Sequence, residues 1–87
     1  MSDDPISQRL RAIAATIAGP SRTPPAPVDD TPLVDGGYWL DSVDLLNLVL
    51  ACEREFGVTF DPDVDFTPDT LRTLGGLRRV VHDLVTR

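Results

Sequence analysis

The sequence predicts an all-α fold, a small antiparallel bundle of four helices with a long loop between the first two, and three observations carry that reading. Apolar residues recur at helical spacing in well-separated segments. A proline-rich stretch without periodicity divides the first segment from the rest. No segment reads as a credible strand, and no internal repeat is visible.

The first helix is expected over about residues 3–18, "DDPISQRLRAIAATIA", where Ile6, Leu10, Ile13 and Ile17 fall on one face. Asp3 or Asp4 can cap it, Pro5 suits its first turn, and Gly19 and Pro20 stop it. Residues 19–41 then form a loop, with five prolines and three aspartates between Gly19 and Leu40. A loop this long in a small domain usually has a functional or topological reason; the alternative is a disordered linker, against which Leu33, Val34, Tyr38, Trp39 and Leu40 are expected to pin its second half to the core.

The second helix, residues 42–56, is apolar round most of its circumference through Val43, Leu45, Leu46, Leu48, Val49, Leu50, Cys52 and Phe56. That pattern predicts a central helix packed against several others, with Gly57 as its stop. In "VTFDPDVDF", Val58, Phe60 and Phe66 are expected to point inward. A short third helix over about 67–72 is expected next, with Thr67 as cap and Pro68 in its first position. The fourth, about 74–86, gathers Leu74, Leu77, Val80, Val81, Leu84 and Val85 on one face after Thr73 as cap. Gly75 and Gly76 cost that helix about 1 kcal/mol each relative to alanine. They either allow close approach to a neighbour or delay the helix start.

At 87 residues the chain has room for one core, so residues 1–87 are expected to form a single domain. Fourteen Asp and Glu face eight basic residues, all arginine, for a formal charge of −6. An acidic surface argues against nucleic acid and anionic membranes and suits basic protein partners. With one cysteine, no signal-like N-terminus and no apolar run near the ~18 residues of a membrane span, the expectation is a soluble, reduced, cytoplasmic monomer.

One junction concentrates the chemistry: "GGYWLDSVDLLNLVL". If Ser42 is the helix cap, its hydroxyl is occupied by the backbone. If Asp41 is the cap, Asp44 falls at the third helical position in a near capping box, and Ser42 is left with no structural duty. Leu46, Val49 and Glu53 follow Ser42 on one face, so a group on Ser42 would sit above an apolar stripe, and a phosphate there would meet a helix N-terminus. Tyr38 and Trp39 read first as packing or staple groups, and second, for Trp39, as a recognition surface.

Competing chemistries are weaker. Nucleophilic catalysis by Ser42 needs a base, and the only histidine, His82, lies in a charged stretch of the last helix; no G-x-S-x-G elbow is present. One Cys and one His supply no metal cluster. "DPDVD" at Asp61, Asp63 and Asp65 lacks the glycine and final Glu of a calcium loop, so these are expected to be solvated loop charges, and Cys52 a small core residue.

The residues "LDSVDLLNLVLACEREFGVTF" resemble the second helix of acyl and peptidyl carrier proteins, with Asp-Ser, an apolar residue, and an amphipathic helix ending in "EFG". The resemblance continues through "FTPDTLRTLGGLRRVV", similar to the family's third and fourth helices. It implies a four-helix carrier with 4'-phosphopantetheine on Ser42, installed from coenzyme A by a phosphopantetheinyl transferase with magnesium. The arm's thiol would then hold acyl or aminoacyl groups as thioesters for loading enzymes and downstream transferases and synthases, the carrier itself catalysing nothing. With this resemblance Asp41 becomes the better candidate for the cap and Ser42 for the tether.

The resemblance further implies that Asp41 assists the attachment reaction, that Val43 is an apolar contact beside the arm, and that Asp44, Glu53 and Glu55 face basic patches of partners. Asn47 and Arg54 interrupt that acidic face and leave it mixed. "YWLDS" replaces the more usual glycine-containing approach to the serine. Both departures lean toward a stand-alone carrier of polyketide or nonribosomal peptide assembly rather than of fatty-acid synthesis. A cavity for the cargo is expected from Leu46, Val49, Leu50 and Leu71. The reading from another class is an acidic helical interaction module without an arm.

Overall fold

The computed structural model describes residues 5–67 and 70–86. Three helices form among them, α1 (Pro5–Ala18), α2 (Ser42–Phe56) and α3 (Leu74–Thr86), with no strand beyond one isolated antiparallel bridge between Pro32 and Thr73. α1 packs against both α2 and α3, which touch each other less. The expected caps Asp3 and Asp4 lie outside the described residues.

The short helix expected over 67–72 is not among the three. Pro68 and Asp69 lie outside the described residues, and Thr70, Leu71 and Arg72 form turns. Side-chain bonds hold this segment locally: the Thr67 N–H donates to Thr70 Oγ1 at 3.1 Å, and the Thr70 hydroxyl donates to the Asp65 carbonyl at 2.8 Å. Hydroxyls that satisfy nearby backbone groups offer an alternative to a helical ladder.

Each helix end has a local cause. α1 begins at Pro5, whose missing N–H is no loss in a first turn. It stops where Gly19 turns to φ 81°, a left-handed conformation that glycine adopts without a Cβ clash. α2 ends the same way at Gly57, φ 66°, whose N–H donates to the Glu53 carbonyl. α3 opens with the Thr73 hydroxyl accepting from the Gly76 N–H at 3.1 Å.

The long connector is an ordered layer of the fold. Leu33, Tyr38 and Leu40 are buried in the core with Leu10, Leu48, Cys52, Leu77 and Val81. Burying each such leucine contributes about 1.5–3 kcal/mol. At the start of α3 the Leu74 and Gly75 N–H groups donate to the carbonyls of Thr31 (3.1 Å) and Asp29 (2.8 Å). A Cβ on Gly75 would lie 3.0 Å from Asp29, so this glycine permits the connector to cross the helix rather than delaying its start.

Two expectations about burial are corrected. α2 is not covered all round: Val43, Leu46 and Leu50 are exposed, because no described element lies over that face. Asp65 is not a solvated loop charge. It is buried, and its carboxylate accepts from the Asp61 N–H at 2.7 Å, while Asp61 in turn accepts from the Asp63 N–H at 2.9 Å.

Candidate attachment site at the start of α2

Asp41 is the N-cap of α2. Its extended backbone (φ −89°, ψ −177°) turns its Oδ1 onto the Asp44 N–H at 2.8 Å, and Asp44 Oδ2 accepts from the Asp41 N–H at 3.3 Å. This is a reciprocal capping box with aspartate in the third position. Ser42 is therefore the first helical residue, exposed, and its hydroxyl has no hydrogen-bond partner among the described residues. The backbone N–H groups of Ser42 and Val43 are likewise unbonded there. Free donors at a helix start, with the dipole behind them, favour an anion.

Arg22 makes this end rigid. Its Nε donates to the Ala18 carbonyl at 2.9 Å and its Nη2 to that of Ile17 at 3.3 Å, closing the C-terminus of α1. Its Nη1 reaches across to Asp44 Oδ2 at 3.0 Å and to the Trp39 carbonyl at 3.3 Å. The guanidinium, followed by the Asp41 backbone N–H, holds the Asp44 carboxyl below its ordinary range. Nothing in the local pattern round Arg22 reveals this contact, which joins residues far apart in the chain.

Below Ser42 lies an open apolar groove of about 290 Å³, lined by Ser42, Leu45, Leu46, Val49, Phe66 and Leu71. Phe66 is held by stacking on buried Phe60, with ring centroids 5.4 Å apart and planes at 9°. Of the residues expected to line a cavity, Leu46, Val49 and Leu71 meet here and Leu50 does not. At 100° per residue Leu50 lies about 80° round α2 from Ser42, on the solvent side. Leu45 and Phe66 take part instead: Leu45 is one turn from Ser42, a signal that was legible, whereas Phe66 arrives from a distant segment.

The residues expected to face partners divide. Asn47 and Arg54 are exposed. Asp44 is turned inward onto Arg22, and Glu53 Oε2 accepts from the Phe60 N–H at 2.8 Å, so both serve the fold. Glu55 is exposed but forms an ion pair with Arg9.

The aromatic pair also divides. Tyr38 is fully buried, and its hydroxyl has no hydrogen-bond partner among the described residues. Trp39 is 57 % exposed at φ 57°. The left-handed region costs a non-glycine residue about 1–2 kcal/mol, which gives a physical reason why glycine suits this approach to the serine. Cys52 is a buried core residue whose thiol is pushed up to about 12, first by desolvation and then by Glu53 and Glu55. Among the described residues no group of three His, Cys, Asp or Glu side chains could hold a metal ion, and no helix is long and apolar enough to cross a membrane.

An unengaged hydroxyl on a capped helix thus stands beside unbonded N–H groups and above an apolar groove. The family model for the phosphopantetheine attachment site matches residues 8–79, and the chain belongs to this family. Comparison with curated proteins and with solved structures gave no significant match. The chain is thus a phosphopantetheine carrier domain, a class that is not itself catalytic and that works with transferases and synthases, and its cofactor is covalent 4'-phosphopantetheine.

The described residues fit that group: the unbonded N–H donors of Ser42 and Val43 suit its phosphate, and the groove offers apolar cover to what lies beyond it. When attached, the arm supplies a thiol for thioester chemistry.

Proposed function

We propose that Ser42 carries the phosphopantetheine arm and that the chain is a stand-alone carrier of acyl or aminoacyl groups in polyketide or nonribosomal peptide assembly. One observation carries the choice of serine. Within the matched residues 8–79 the serines are Ser21 and Ser42, and Ser42 alone begins a helix, with its cap function taken over by Asp41. In the attachment reaction Ser42 Oγ forms a phosphorus–oxygen bond, the pyrophosphate link of coenzyme A breaks, and adenosine bisphosphate leaves. The hydroxyl proton passes to a base on the transferase. The side chains of Leu46, Val49 and Leu71 shelter the apolar part of a cargo.

The specialised pathway is supported by the mixed face of α2, where Asp44 and Glu53 bond internally and Asn47 and Arg54 are exposed. Many fatty-acid carriers have a more continuously acidic second helix.

Incubation with a broad-specificity transferase, coenzyme A and magnesium, read by intact mass, tests the reading. The expected result is one phosphopantetheine adduct, lost in Ser42→Ala. An adduct that persists in Ser42→Ala sinks the assignment of the serine, and the absence of any adduct on the native chain favours an interaction module without an arm.

A further inference from the structure

Two neighbouring residues at the start of α2 compete for one duty. Aspartate and serine are equally good helix caps, so nothing within the pair itself decides whether Asp41 or Ser42 takes that role. The choice has a chemical consequence. A capping Ser42 commits its Oγ to a backbone N–H, whereas a capping Asp41 leaves that oxygen open to react.

Asp41 holds the role, and the residue three positions on favours it. With Asp41 as cap the third helical position is Asp44, which can return a bond to the cap; with Ser42 it would be Leu45, which cannot. Aspartate is nevertheless shorter than the glutamate that usually completes such a box. The Asp41 N–H reaches Asp44 Oδ2 only at 3.3 Å, beyond the ordinary range for such bonds.

A second donor meets the same oxygen. Arg22 Nη1 donates to Asp44 Oδ2 at 3.0 Å. The guanidinium is itself anchored, its Nε and Nη2 on the carbonyls of Ala18 and Ile17 and its Nη1 also on that of Trp39. Asp44 is thereby held where its carboxylate faces the cap. Trp39 stands at φ 57°, a conformation that a non-glycine residue keeps only where its surroundings hold it, so the turn delivering Asp41 is fixed from the same point.

We propose that Arg22 is a positioning residue for Ser42: by pinning Asp44 it assigns the cap to Asp41 and keeps Ser42 Oγ out of the hydrogen bonding of α2. This rests on Ser42 being the attachment serine. Arg22 acts through Asp44 and the Trp39 turn, from a position outside α2 and twenty residues before the serine.

The parent is compared with Arg22→Gln and with the double variant Arg22→Gln, Asp44→Glu. Glutamate in the third position reaches the cap N–H unaided, so the double variant is expected to recover what the single one loses. The first readout uses the unmodified protein alone. A cap has extended backbone and a first helical residue does not, so the Cα and Cβ chemical shifts of Ser42 report which it is. They are expected to be helical in the parent, to move toward extended values in Arg22→Gln and to return in the double variant. The second readout is kcat/KM for a broad-specificity transferase with coenzyme A and magnesium, at a temperature where all three proteins are folded. It is expected to fall by about 3–10-fold in Arg22→Gln, in proportion to the chains that keep Ser42 uncommitted, and to recover in the double variant.

Unmoved Ser42 shifts, an unchanged kcat/KM, no recovery in the double variant, or an Arg22→Gln chain that does not fold each overturns the proposal. Absence of recovery with an intact fold would mean that Arg22 touches the transferase directly. An adduct retained by Ser42→Ala overturns the serine assignment instead, and the Ser42 shifts then decide the choice of cap without reference to attachment.

Discussion

Arg22 Nη1 lies 3.0 Å from Asp44 Oδ2, and through this pair the C-terminus of α1 is tied to the capping box of α2. The same guanidinium bonds the carbonyls of Ile17, Ala18 and Trp39. A single side chain thus links the first helix, the turn before Ser42 and the second helix. Because the Asp44 carboxyl is held below its ordinary range, its contribution to stability is fully present above the unfolded carboxylate pKa and is lost as the pH falls through the folded value. Arg22→Gln is therefore expected to lower stability at neutral pH and to flatten the acid limb of the stability profile. Denaturant titrations from neutral to acid pH check this; parallel profiles for both proteins would refute it.

Asp41 is expected to combine two duties that substitution can separate. Asp41→Ala removes the cap and lowers stability by about 1 kcal/mol, whereas Asp41→Asn keeps a capping side chain and nearly all the stability. If the charge of Asp41 assists attachment, Asp41→Asn is modified more slowly than the parent despite its intact fold. Chemical denaturation and the rate of adduct formation, measured on both variants, separate the two.

Gly37 cannot take a side chain, since a Cβ there would stand 1.9 Å from the Pro32 carbonyl oxygen. Gly37→Ala is expected to destabilise by about 3 kcal/mol, the upper end for overpacking, because the obstacle is backbone. The expected measurement is a thermal midpoint far below that of the parent, with Tyr38 and Trp39 displaced together.

Tyr38→Phe runs the other way. The ring keeps its place in the core and a buried hydroxyl without a partner among the described residues is removed, so stability is expected to rise by about 1 kcal/mol. A fall of similar size in denaturant titration would show that the hydroxyl has a partner.

Cys52 is expected to resist alkylation in the native protein at mildly alkaline pH, because the thiolate is the reactive form and its pKa is pushed up to about 12. Labelling should appear only with denaturant and follow the unfolding curve.

Much of this was legible along the chain. Helical spacing located the three helices, and the offset from Asp41 to Asp44 contained the capping box that leaves Ser42 unengaged. These features depend on neighbours within a turn, where period and residue type suffice. Arg22, Phe66 and the inward turn of Glu53 were not legible, because each acts on residues remote in sequence. The short helix expected over 67–72 drew on Thr67 and Pro68 as start signals, while Thr70 bonds back to the Asp65 carbonyl and Leu71 and Arg72 form turns.

The sequence by itself determined where three helices lie, that Asp41 and Ser42 stand at the start of one of them, and the family to which the chain belongs. Tertiary structure alone decided which side chains that serine shares its surroundings with. Packing turned Asp44 onto Arg22, buried Tyr38 and left Trp39 outside. The physical reason is range: caps and periodicity act through bonds within a few residues, whereas burial and charge pairing depend on which surfaces the chain brings together.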